Sequence, residues 1–181
     1  MVTDLTHYKK SPPRTPNNQE LVDRALDRGA VNAKVIGTQT ITLGNWVRLR
    51  CQFGCPHFGK RFTCPTFTPT THEMSDILMD YQKALVVEAE SAAQVHDLVL
   101  CLEEQFREQG FRKAFALDSL PCNLCEVCTI ESHCEHPDQA RPTLQACGID
   151  VSQTMSNIGW NTATSQEPCS PRQTVGMVLL D

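Results

Sequence analysis

The stretch CNLCEVCTIESHCEHP sets Cys122, Cys125 and Cys128 at two-residue intervals and Cys134 five residues further on. Three thiolates in consecutive CxxC steps wrap the backbone around a body with several metal corners. A single tetrahedral zinc usually takes two separated CxxC pairs instead, because sulfurs about 2.3 Å from one metal crowd to about 3.8 Å from each other. An iron–sulfur cube binds each thiolate on a different iron, so its ligands stand further apart and a run of them along one loop suits it. The spacing therefore predicts a 4Fe-4S-type cluster on this group, with a structural zinc site as the alternative.

The usual bacterial iron–sulfur run has three residues before its last cysteine and a proline directly after it. Here five residues intervene, and Glu135 and His136 stand before Pro137. That departure leaves open whether Cys134 closes the site or whether His133 or His136 replaces it. Four thiolates already suffice, which makes the two histidines outer contacts or solvent-facing groups.

An earlier group, CQFGCPHFGKRFTCPTFTPT, offers Cys51, Cys55 and Cys64, with Pro65 directly after Cys64. Gly54 and Gly59 would let backbone N–H groups approach sulfur, and Arg48, Arg50, Lys60 and Arg61 would offset the charge of a thiolate-rich site. Three cysteines leave one corner of a cluster unassigned. His57 inside the loop or Cys147 in RPTLQACGIDV could fill it, or it stays empty. An empty corner would keep one iron open to a substrate, the logic by which catalytic zinc sites leave a position free. Cys101 reads as a small buried hydrophobe at a helix margin and Cys169 as a plain thiol. No phosphate loop, dinucleotide glycine motif, HExxH or GxSxG is present.

Something must position these loops. Residues 1–16 are polar and hold Pro12, Pro13 and Pro16, so they read as a flexible arm before a single metal-binding domain over 17–181. Asn17 and Glu20, and again Thr70 and Glu73, have the spacing of capping boxes that start short helices. The segment from Ala33 to Arg50 is rich in Val, Ile and Thr and reads as two strands turning at Gly44-Asn45, the second alternating so as to deliver Cys51 at its end. ALVVEA (84–89) and Arg112 to Leu117 read as further strands. Between them Val95, Leu98, Val99, Leu102 and Phe106 form the stripe of a long helix that stops at Gly110, with Glu103 and Glu104 on its wet face. Strand, helix, strand in that order predicts a parallel pair with a right-handed crossover. A short helix around Val151 to Ile158 and a strand over Val175 to Leu180 complete an α/β or α+β fold: a mixed sheet, flanking helices and two cysteine-rich loops.

Ten cysteines and 40% hydrophobic residues in 181 describe a chain able to bury its own core, whose thiols need a chemical explanation. The first twenty residues hold no signal-peptide core, and no segment approaches the roughly 20 apolar residues that span a bilayer. A reducing cytoplasm is the expected location, where clustered thiols bind metal or do redox work more often than they form disulfides. A net charge of −5 argues against a nucleic-acid partner. Arg141 reads either as a partner of the second cysteine group or as a helix-terminal charge.

Taken in order, RLRCQFGCPHFGKRFTCP, KALVVEA, GFRKAFALDSLPCNLCEVC and HPDQARPTLQACGIDV resemble a family of small prokaryotic proteins catalogued as a predicted metal-binding domain of unknown function. The likeness runs from about Trp46 to about Val151. It implies a cysteine-rich metal-binding protein with iron–sulfur clusters, carried by Cys51, Cys55, Cys64, Cys122, Cys125, Cys128 and Cys134, with Cys147 and Asp150 in the adjoining motif. It names no reaction. Three functions follow: an electron carrier or redox accessory with a redox partner protein, an enzyme with an open iron site, or a structural zinc interaction module.

Overall fold

A computed structural model of the chain describes residues 14–160 and 174–181, so 1–13 of the expected arm and Cys169 lie outside the described residues. In chain order the elements are α1 (Asn18–Asp27), β1 (Asn32–Gly37), α2 (Asn45–Gly54), α3 (Thr71–Met79), β2 (Lys83–Glu88), α4 (Ala92–Glu108), β3 (Phe115–Leu117), α5 (Val151–Asn157) and β4 (Val175–Leu180). Short 3-10 turns occupy Thr38–Thr40 and Gln145–Cys147.

Local signals account for the helix starts. Asn17 and Thr70 each accept from the backbone N–H three residues on, and Glu20 and Glu73 each accept from the cap's own N–H, so both expected capping boxes form. Ser91 caps α4 in the same way with Gln94. The α4 stripe of Val95, Leu98, Val99, Leu102 and Phe106 is buried as its spacing requires. At its end Gly110 takes φ 107°, a left-handed conformation that stops a helix without strain only at glycine.

The four strands form one sheet in the order β1-β2-β4-β3, antiparallel at every pairing. The expected parallel pair does not form. β2 and β3 do run in the same direction, but β4 lies between them and hydrogen-bonds to both, Val86 opposite Met177 on one side and Leu117 opposite Met177 on the other. As the insertion comes from the far end of the chain, nothing local in the strand-helix-strand segment announces it. β4 is buried at all six positions because it is an inner strand covered on both faces.

One face of the sheet packs Leu85, Val87, Val178 and Leu180 against α1 and α4. The other packs Ala84, Val86, Met177 and Leu179 against α3, α5 and the 3-10 turn that holds Cys147. Helix α4 comes closest at Gly176, where a Cβ would stand 2.5 Å from the Val95 side chain and 2.7 Å from that of Val99. Only a bare backbone lets the helix lie so near the central strand.

A second correction concerns the strand expected up to Arg50 with Cys51 at its end and a loop from there on: residues Asn45–Gly54 form helix α2 instead. Val47 and Cys51 lie on one face in either geometry, four residues being two strand repeats or about one helical turn. Leu49 separates the two: a strand would bury it beside Val47 and Cys51, but it is exposed while they are buried. Gly44, expected in a hairpin turn, is the residue before the helix. The strand expected over Arg112 to Leu117 is confined to its last three residues. Among the described residues no helix is long and apolar enough to cross a membrane.

Candidate metal centre

Helix α2 turns Cys51 inward beside Val47, and the Cys55 N–H donates to the Cys51 carbonyl at 3.2 Å, so the helix end itself sets the first two thiols of the earlier group. The chain then hooks back. Gly59, at φ 68°, donates its N–H to the Pro65 carbonyl at 2.7 Å, and the Cys64 N–H donates to the Arg61 carbonyl at 3.0 Å. This brings Cys64 to the other two: burial raises its thiol pKa to about 11, followed by the repulsion of Cys55 and Cys51. Cys51 is raised by burial and by Cys55, and Arg48 opposes both.

Arg48 also braces the loop. Its Nη1 donates to the Pro69 carbonyl at 2.6 Å and to the Ala146 carbonyl at 3.2 Å, while the Thr68 hydroxyl donates to the same Ala146 carbonyl at 2.6 Å. The exit of the first loop is thereby fixed to the turn that carries Cys147. Cys147 itself shares Arg48 with Cys51 but packs in the apolar cluster with Met74, Leu144 and Met155, and burial pushes its thiol up to about 12. His57, the other residue considered for the fourth corner, accepts at Nδ1 from the Arg61 Nε at 3.3 Å. Its pKa is lowered by burial and then by Arg61 and Lys60, which favours the neutral ring with its proton on Nε2.

The four thiols of the second group, Cys122, Cys125, Cys128 and Cys134, line a single hollow. Arg61, Phe62 and Thr63 of the first loop form another part of its wall, so the two cysteine groups are neighbours. Arg61 joins them: its Nη1 donates to the Cys125 carbonyl at 3.3 Å, and its charge lowers the pKa of both Cys64 and Cys122. In Cys122 that attraction works against burial, which dominates and raises the thiol. Of the four basic residues expected to face sulfur, Arg48 and Arg61 do. Arg50 instead lies over the Trp46 ring, 5.4 Å from its centroid, on the outside of α2. Lys60 is exposed.

One further ligand set is present. The Cys125 sulfur, a Glu135 carboxylate oxygen and a His136 ring nitrogen all lie within 4.8 Å of one another, and no other trio of His, Cys, Asp or Glu does so among the described residues. The sequence spacing noted His136 but gave Glu135 no role. His133 is exposed, and its carbonyl accepts from the Thr129 hydroxyl at 2.6 Å.

The cysteine loop has no helix or strand of its own, and α4 pins it at both ends. At its entrance Asp118 is buried and accepts from His96 Nδ1 at 2.5 Å and from the Ser119 N–H at 2.6 Å. The hydrogen bond to Asp118 raises the His96 pKa. At its exit Arg141 forms a two-pronged pair with Glu103, Nε to Oε2 and Nη2 to Oε1, both at 2.7 Å. The remaining Arg141 nitrogen donates to the carbonyls of Pro137 and Ala140 at 3.0 and 2.8 Å, directly after Cys134, Glu135 and His136. Glu103, expected on the wet face of α4, is 1% exposed and also accepts from Arg107 and from the Ala116 N–H. The signal for it was its place four residues after Val99 on the buried stripe. Cys101 corrects a smaller expectation: it is partly exposed and accepts from Arg28 Nη1 at 3.0 Å.

Two outcomes follow. Glu103→Ala leaves the Arg141 guanidinium buried without its counter-charge and should lower unfolding free energy by about 3–5 kcal/mol in denaturant titrations; a loss under about 1 kcal/mol would contradict the anchoring role. Because Cys64 and Cys51 have raised pKa values, both are protonated at neutral pH and must release protons to bind metal. Metal affinity of the metal-free protein should therefore fall as pH drops from about 8 to 6, by about tenfold per pH unit for each proton released. Competition with a coloured chelator measures it, and a flat profile would speak against thiol ligation.

The profile of a family described as "Predicted metal-binding protein (DUF2284)" matches residues 34–180, reaching past the cysteine motifs to take in the last four residues of β1 and the whole of β4. No curated protein and no solved structure matches the chain. With two thiol groups set side by side and a matching profile over most of its length, the chain belongs to this family of predicted metal-binding proteins.

Proposed function

We propose that this metal-binding protein is an electron carrier or redox accessory with one or two 4Fe-4S clusters. The observation that carries the reading is the convergence of Cys122, Cys125, Cys128 and Cys134 on one hollow. Four thiols around one hollow match the four corners of such a cluster. A single tetrahedral zinc would draw its sulfurs to about 3.8 Å apart, whereas a cluster spreads them over separate irons. The first group, Cys51, Cys55 and Cys64, would hold the second cluster.

A bound cluster supplies one-electron redox chemistry, and the chain's own residues set the conditions for it. Arg48 and Arg61 offset negative charge on the thiolates, and burial of Cys51 and Cys64 excludes water. Both effects bear on the reduction potential. With Cys147 packed among apolar side chains, the first group offers three thiolates, which also keeps the open-iron enzyme reading in play. The trio of Cys125, Glu135 and His136 favours a different alternative, a single ion such as zinc.

Anaerobic purification should give a brown protein that bleaches on reduction, with iron and acid-labile sulfide near four each per chain for one cluster and near eight for two. Cys125→Ala and Cys55→Ala should each remove their own site and spare the other. A colourless protein with one or two zinc ions would contradict the reading.

A further inference from the structure

Helix α2 has two faces. Val47 and the ligand candidate Cys51 are buried on one, while Trp46, Leu49 and Phe53 are 48, 54 and 81% exposed on the other. Their spacing of three and then four residues makes them one stripe, and Arg50 lies within it. Single exposed apolar residues are ordinary, but three large ones on one helical stripe, with Phe67 44% exposed on the loop that follows, mark a contact surface.

Charge says what fits there. From Arg28 to His72 the chain has no Asp or Glu, although it holds 21 elsewhere. The same interval carries Arg28, Lys34, Arg48, Arg50, Lys60 and Arg61, six of the chain's 16 basic residues. Arg48 and Arg61 are turned toward sulfur, Arg28 and Lys34 bond to Cys101 and to the Ile158 carbonyl elsewhere in the fold, and Arg50 lies over the Trp46 ring within the stripe. A face with so few outward cations does not suit a phosphate backbone, which needs many contacts to release counterions. It suits an apolar patch ringed by carboxylates.

We propose that the outer face of α2 is the docking surface for an acidic electron-carrier protein, with Trp46, Leu49 and Phe53 as its apolar centre and Arg50 as its cation, in a stretch of chain free of carboxylates. The choice of an electron carrier rests on the redox reading above. A partner seated there lies across one helix, about 10 Å, from the Cys51 side. The Arg50 charge steers approach and is screened by salt, while the apolar centre sets how long the complex lasts.

The test uses the metal-loaded protein with an acidic flavodoxin as probe. Calorimetry should detect binding that weakens about tenfold as ionic strength rises from about 0.05 to about 0.5 M. The Leu49→Ser/Phe53→Ser double variant and Arg50→Glu should each weaken it about tenfold or more, with metal content unchanged. Cluster reduction by the flavodoxin hydroquinone should slow in parallel, while reduction by dithionite stays the same. Absence of binding, or binding indifferent to both variants, overturns the proposal. So does wild-type self-association in sedimentation, or adsorption to anionic lipid vesicles, that the double variant abolishes. A wild type that dithionite cannot bleach defeats the redox reading alone, since calorimetry still decides the docking surface.

Discussion

Between Leu117 and Gln145 the chain forms no helix or strand, yet this segment carries four closely spaced thiols. Its backbone is joined at the two ends by the Asp118 N–H donating to the Pro142 carbonyl and the Leu144 N–H donating to the Asp118 carbonyl, and polar side chains add to that hold. The buried Glu103–Arg141 pair is the central one. It satisfies two guanidinium donors on the carboxylate and two loop carbonyls on the remaining nitrogen, so four of the five N–H donors are used inside the protein. A buried ion pair need not add stability over an apolar replacement, but it does specify one geometry, which a ligand loop requires.

The two cysteine groups are parts of one region. α2 delivers Cys51, the hook after it delivers Cys64, and the same hook supplies Arg61 to the wall of the second hollow. A single guanidinium thus acts on sulfur in both groups. Removing a charge so placed would alter both sites together, a coupling that two independent metal loops would lack. The basic residues of the first loop serve in two ways: Arg48 and Arg61 turn inward to thiols and carbonyls, while Arg50 covers Trp46 on the outer surface.

What the sequence made legible was what short range decides. Capping boxes at Asn17 and Thr70, the α4 stripe and the C-terminal strand all follow from neighbours within a few residues. The cysteine spacing likewise marked Cys122, Cys125, Cys128 and Cys134 as one group. Long-range pairing was not legible: β4 enters between β2 and β3 from the end of the chain. For α2 the inward residues fit either period, and only the exposure of Leu49 distinguishes them. Glu103 was hidden by Glu104 beside it, since two adjacent acids on a helix resemble a solvated edge. Its partner Arg141 lies 38 residues away, which no local pattern encodes. The adjacency of the two cysteine groups through Arg61 was beyond reach for the same reason.

Under the proposed reading, sulfur from these loops binds iron that is itself bridged by sulfide. X-ray absorption at the iron edge of protein prepared without oxygen tests this most directly. The expected spectrum has a first shell dominated by sulfur and a second shell of iron scattering from iron. No iron edge, with a zinc edge in its place whose mixed nitrogen, oxygen and sulfur shell shows no metal–metal scattering, would contradict it.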